Sequence, residues 1–201
     1  MKVLIFLFIL LLSAIPAMAN TVVFEFSGFI DTINSNENNA LGNVYLNQPF
    51  NGWFSYSSVP DQTSNPDYGV YVQDASISTT LGALALNYLD DQIYVTVAND
   101  YTDGEDRFWF GVDASNGDFS FTNYGIHLDD STGMVYNTGV LPMSIDLADF
   151  DSTRFLLKGY ALPDGDWFDV EGEITNITAV PEPATFLLLG LGWVVLRKKG
   201  L

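Results

Sequence analysis

Apolar and polar residues alternate with a period of two along most of the chain between residues 20 and 179. Phe24, Phe26 and Ile30 alternate with Glu25, Ser27 and Asp31. Phe50, Gly52, Phe54 and Tyr56 alternate with Asn51, Trp53, Ser55 and Ser57, and Ile93, Val95 and Val97 with Tyr94 and Thr96. A period of two places every second side chain on one face, the pattern of a half-buried strand. Further strands are predicted over residues 70–79, 83–88, 107–113, 118–123, 126–129, 154–161 and 167–177. Turn signals separate them: Asn65-Pro66, Asp103-Gly104, Asn116-Gly117, Ser131 to Gly133 and Asp164-Gly165. Only residues 146–150 read as a helical turn. Many short strands with frequent turns predict an all-β domain, an antiparallel β-sandwich of jelly-roll-like form, with a closed barrel as the alternative.

The two ends break this pattern. Met1 and Lys2 are followed by an apolar run over residues 3–12 and by Pro16, Ala17, Met18 and Ala19. A basic start, an apolar stretch and small residues at a cleavage site make residues 1–19 a signal peptide, cut between Ala19 and Asn20. At the other end Pro181, Glu182 and Pro183 form a stiff extended stub, because each proline fixes its own φ and biases the preceding residue away from helix. A transmembrane helix is predicted over residues 184–196, followed by the basic tail Arg197, Lys198 and Lys199. Its apolar run, at ~1.5 Å per residue, reaches roughly 20 Å, short of a ~30 Å hydrocarbon core. Both termini are expected to lie initially on the cytoplasmic side.

Residues 180–201 resemble the PEP-CTERM sorting domain: a Pro-Glu-Pro motif, a short hydrophobic helix and basic residues. The resemblance implies a surface or secreted protein of a Gram-negative bacterium that makes exopolysaccharide. It also implies an exosortase-type sorting protease as partner, with the inner membrane as a transient anchor. In that reading Pro181, Glu182 and Pro183 are recognised by the protease and catalyse nothing. A looser likeness to other exported PEP-CTERM proteins covers residues 50–56, 60–66 and 147–151 and bears on fold alone.

Between the signals lie about 160 residues, the size of one domain with its own core. The chain has no cysteine, so the core must hold without disulfides. Only Arg107, Arg154 and Lys158 are basic in residues 20–179, against twenty-four carboxylates, a net charge of −21. Such a surface excludes nucleic acid and anionic lipid as partners, since both are bound through Lys and Arg, and it attracts divalent cations.

Candidate chemistry is sparse. His127 is the one histidine, and alternation places it opposite Ile126 and Leu128, as an exposed strand residue. No nucleophile elbow, phosphate-binding loop or zinc-spaced ligand set occurs, so no enzyme is expected. Asp100, Asp103, Glu105 and Asp106 crowd one hairpin connection beside Asn99. They suit Ca²⁺, which takes several carboxylate and carbonyl oxygens, and they equally suit a polar turn. Trp53, Trp109 and Trp167 are candidates for stacking on sugar rings, with Trp53 opposite Phe54 and Trp109 opposite Phe108 and Phe110. A structural or adhesive protein of the exopolysaccharide layer is the leading reading, with a lectin-like or calcium-binding module as the alternative and a glycoside hydrolase behind both.

Overall fold

The alternating segments form ten strands in the computed structural model of the chain, which describes residues 21–57, 67–71, 75–89, 93–101, 104–113, 115 and 117–181. They are β1 (Thr21–Asn36), β2 (Pro49–Ser57), β3 (Tyr68–Tyr71), β4 (Ser76–Leu81), β5 (Leu84–Leu89), β6 (Ile93–Tyr101), β7 (Glu105–Val112), β8 (Phe119–Asp130), β9 (Ser152–Ala161) and β10 (Asp166–Val180). Every pairing is antiparallel. The segments predicted over 118–123 and 126–129 are one strand, β8, carried through by a register shift at Phe121/Asn123. The segment predicted over 70–79 is instead two strands, β3 and β4. A one-turn 3-10 helix at Leu147–Asp149 occupies the predicted helical turn, its Ala148 amide donating to the Asp146 side chain.

The expected sandwich takes a different form: its two layers are halves of one continuous sheet. The strand order is β3-β6-β7-β8-β9-β10-β1-β2-β4-β5. In a flat sheet with strands ~4.8 Å apart, β2 and β7, five places apart, would be separated by about 24 Å. Yet the rings of Phe54 on β2 and Phe110 on β7 have centroids 4.8 Å apart. Phe50 on β2 stacks on Phe155 of β9 at 4.6 Å, and Tyr124 on β8 donates a hydrogen bond to Thr79 Oγ1 on β4 at 2.9 Å. The sheet therefore curls until its inner face closes on itself.

Connectivity demands the same shape. Tyr71 ends β3 at one edge and Ser76 begins β4 near the other. Five residue steps span at most about 18 Å, whereas a flat sheet would put those strands about 38 Å apart. The curl is built into the central pair, where β1 and β10 are the longest strands and their register shifts between Ser27/Gly28, Ile30/Thr32 and Ile33/Ser35. Such bulges bend and twist a strand. At Gly28 a Cβ would lie 1.9 Å from the Glu173 carbonyl oxygen, so only glycine permits this approach.

Phe24, Phe26, Phe54, Phe108, Phe110, Phe155 and Phe168 are at most 1 % exposed. Residues 131–151, between β8 and β9, fold against inward-facing side chains of β3 and β2: Tyr71 Oη donates to Gly139 O, Tyr56 Oη donates to Pro142 O, and Leu141 is buried. No described helix is long and apolar enough to cross a membrane; the segments predicted as signal peptide and transmembrane helix fall outside the described residues.

Phe54 joins the two halves, with rings from β1, β2 and β7 around it. Truncation there leaves a cavity between layers, so Phe54→Ala should lower unfolding free energy by about 3–5 kcal/mol. Phe29→Ser, at a position 48 % exposed, should cost less than about 1 kcal/mol. Urea unfolding of both variants checks the contrast.

Candidate functional site

With the inner face given over to the core, chemistry is confined to the outer face, the loops and the chain ends. On the outer face of β10, β1, β2 and β4 lies an open groove of about 470 Å³. Sheet register builds it in two rows. Glu25, Trp53 and Ser78 are directly opposite one another on β1, β2 and β4, and Asn176, Ser27, Asn51 and Thr80 form the next row. Two residues separate the rows along each strand, so all these side chains share one face. Trp53 is 37 % exposed. Ser78 Oγ donates to Asn87 Oδ1 at 2.6 Å, while the side chains of Asn51 and Thr80 have no hydrogen-bond partner among the described residues.

The other two candidate tryptophans are half-buried and each lies against an aromatic neighbour. Trp109 lies edge-on to Tyr94 at 5.0 Å and packs on His127 at 4.4 Å. Trp167 packs on Tyr160, its cross-strand partner, at 4.8 Å. The structure thus places Trp53, Trp109 and Trp167 on three separate parts of the outer face, opposite the buried Phe54, the buried Phe108 and Phe110, and the buried Phe168.

His127 is not the exposed strand residue that alternation suggests. Its neighbours Ile126 and Leu128 do point inward, but Trp109 covers the imidazole on the outer face. Its Nε2 is buried without a hydrogen-bond partner, and burial pushes its pKa down to about 4, Arg107 and Lys158 adding to that while Asp129 and Glu171 oppose it. Around it all three basic residues of the domain are engaged. Arg107 pairs with Asp129 and Glu105, Arg154 with Asp31 and Glu171, and Lys158 with Asp169 and Glu171.

The acidic hairpin is organised by two buried carboxylates that face each other across β7 and β8, Asp106 and Asp130. Asp106 accepts from the Asp100 amide at 3.1 Å and from the Tyr136 amide. Asp130 accepts from the amides of Thr132 and Met134, each at 2.9 Å; the Met134 bond first, then that of Thr132, holds its pKa below the usual carboxylate range. Glu105 turns to Arg107, and Asp103 lies outside the described residues. Asp100 and Asp106 are thus brought together through a backbone amide, and among the described residues no group of three or more His, Asp or Glu is placed to hold a metal. Asp130 carries no signal in sequence beyond its acidity; only the pairing of β7 with β8 sets it against Asp106.

The start of β1 and the end of β10 meet at one rim of the sheet. Val180, Ala179 and Thr178 at the end of β10 pair with Val23, Phe24 and Glu25 near the start of β1. Pro181, lacking an amide donor, comes directly after and stops the ladder. Residues 179–199 match the family model of the PEP-CTERM protein-sorting motif, whose first two matched residues are therefore still in β10. No curated protein and no solved structure matches the chain. The motif marks an exported protein that is processed by an exosortase, a membrane protein, and sorted to the cell surface. Glu182, Pro183, Arg197, Lys198 and Lys199 lie beyond the described residues, as do Ala19 and Asn20.

These groups lead to two expected outcomes. Between pH 6.5 and about 4 the unfolded chain binds a proton at His127 that the folded chain refuses, so this residue's contribution to stability is complete above pH 6.5 and is lost as pH falls through that window, by on the order of 3 kcal/mol. Urea unfolding across the window should show His127→Gln falling less steeply than the wild type. Asp106→Asn turns one acceptor into a donor facing buried amides. It should cost about 1–3 kcal/mol, and the loss measured by thermal melting should be the same with or without millimolar calcium.

Proposed function

We propose that this exosortase-sorted, exported chain is a structural and adhesive component of the exopolysaccharide layer, with the inner membrane as a temporary anchor and no catalytic role for the β-domain. The observation that carries this reading is the junction: the sorting motif starts within the last strand of the sheet, with no linker between domain and tail. Whatever the protease does to the tail, it does at the rim of a folded module. A tail cut there releases or transfers that module as a unit. The surplus of carboxylates supports the same reading, because like charge keeps exported copies soluble and apart.

Intact mass measurement of the protein from its host, with and without the exosortase, tests the processing. The expected mature chain begins at Asn20 and ends near Pro181, Glu182 and Pro183, and the protease-deficient strain keeps the residues up to Leu201. Recovery of one species running from Met1 to Leu201 in both strains would sink the reading. Deletion of the protein should reduce cohesion of the extracellular layer.

A further inference from the structure

We propose that the outer groove beside Trp53 binds a chain of neutral polysaccharide. The proposal rests on the exopolysaccharide reading only for where such a ligand is met; the groove argues for the ligand class itself. Trp53 is the one candidate tryptophan left without a ring partner among the described residues. Tryptophan is normally well buried, and it is favoured at interfaces because it offers a large apolar face with a polar edge. A pyranose presents the complement, an apolar C–H face ringed by hydroxyls.

The polar lining fits those hydroxyls. Ser27, Asn51, Ser78, Thr80 and Asn176 are neutral, and hydroxyl and amide side chains both donate and accept, as sugar hydroxyls do. Glu25 is the one charged group in the lining. Among the described residues no cation reaches it, since Arg107, Arg154 and Lys158 stand on β7 and β9 against carboxylates, so an acidic polysaccharide would meet like charge without a partner. The groove is formed by side chains on four hydrogen-bonded strands. Little ordering is therefore needed on binding. It lies across the strands and is open, which suits a polymer passing over the sheet.

Native gel electrophoresis of the full chain in a zwitterionic detergent, which carries no sugar headgroup, tests this with dextran, galactomannan or hydroxyethylcellulose cast in the gel, and alginate as the anionic counterpart. At least one neutral polymer should retard the protein and alginate should not. Trp53→Ala should weaken retardation by at least about tenfold, equivalent to about 1.4 kcal/mol, while Trp167→Ala binds as the wild type does. Absence of retardation by every neutral polymer, equal retardation by alginate, or undiminished binding by a normally melting Trp53→Ala would each overturn the proposal. Should Trp53→Ala melt abnormally, Asn51→Ala decides: weakened retardation supports the site and wild-type retardation overturns it. Normal processing at both ends without sugar binding removes the groove alone, whereas sugar binding by an unprocessed chain removes the sorting reading alone.

Discussion

The interaction on which this molecule depends is the meeting of aromatic rings across the inside of a single curled sheet. Phe54 touches the rings of Phe24 and of Phe110, which belong to opposite halves of the same ladder. Neither half has another layer to pack against, so each must supply the other's core. Burying a phenylalanine contributes about 1.5–3 kcal/mol, and a chain without cysteine has no covalent substitute for it. The bulges between β1 and β10 and the glycine at position 28 let the sheet bend far enough for those rings to meet.

That solution dictates where everything else goes. One face of every long strand is committed to the core, and the outer face divides by chemistry. Over β7, β8, β9 and β10 it holds the ion pairs and the covered histidine. Over β10, β1, β2 and β4 it holds short neutral side chains, the Glu25 carboxylate and an uncovered tryptophan. Exposed ion pairs of this sort contribute about 0–1 kcal/mol each, so their chief effect is to tie up the domain's few cations. The buried Asp106 and Asp130 act differently: by accepting backbone amides they anchor residues 131–136 to the sheet, and the rest of that long connection packs against inward-facing tyrosines of β3 and β2.

Closure also explains how the address relates to the cargo. The first and last strands are neighbours in the middle of the sheet, which brings the start of β1 and the end of β10 to one rim. A sorting tail leaving from Pro181 leaves from the end of β10, where that strand pairs with β1 alone, beside the start of β1. The domain is held to its tail by a strand that lies between β9 and β1 over residues 168–173 and pairs with β1 alone over residues 174–180.

Local chemistry made much of this legible without coordinates. Alternation in β1, β2 and β7 set Phe24 and Phe26 opposite Glu25, Phe54 opposite Trp53, and Phe108 and Phe110 opposite Trp109, because strand geometry alone sets that choice. The Pro-Glu-Pro stub, the apolar run and the basic tail identified the sorting motif, because such a signal is read as a linear segment. Tertiary structure decided the rest. That two layers are one sheet depends on which distant strands pair, and that His127 is covered depends on Trp109 from the neighbouring strand. Trp53, Trp109 and Trp167 look alike in sequence, and they differ in exposure because only the register of adjacent strands determines whether an aromatic side chain lies beside each one. Alternation tells which way a side chain points; only the pairing of strands far apart in the chain tells what it meets there.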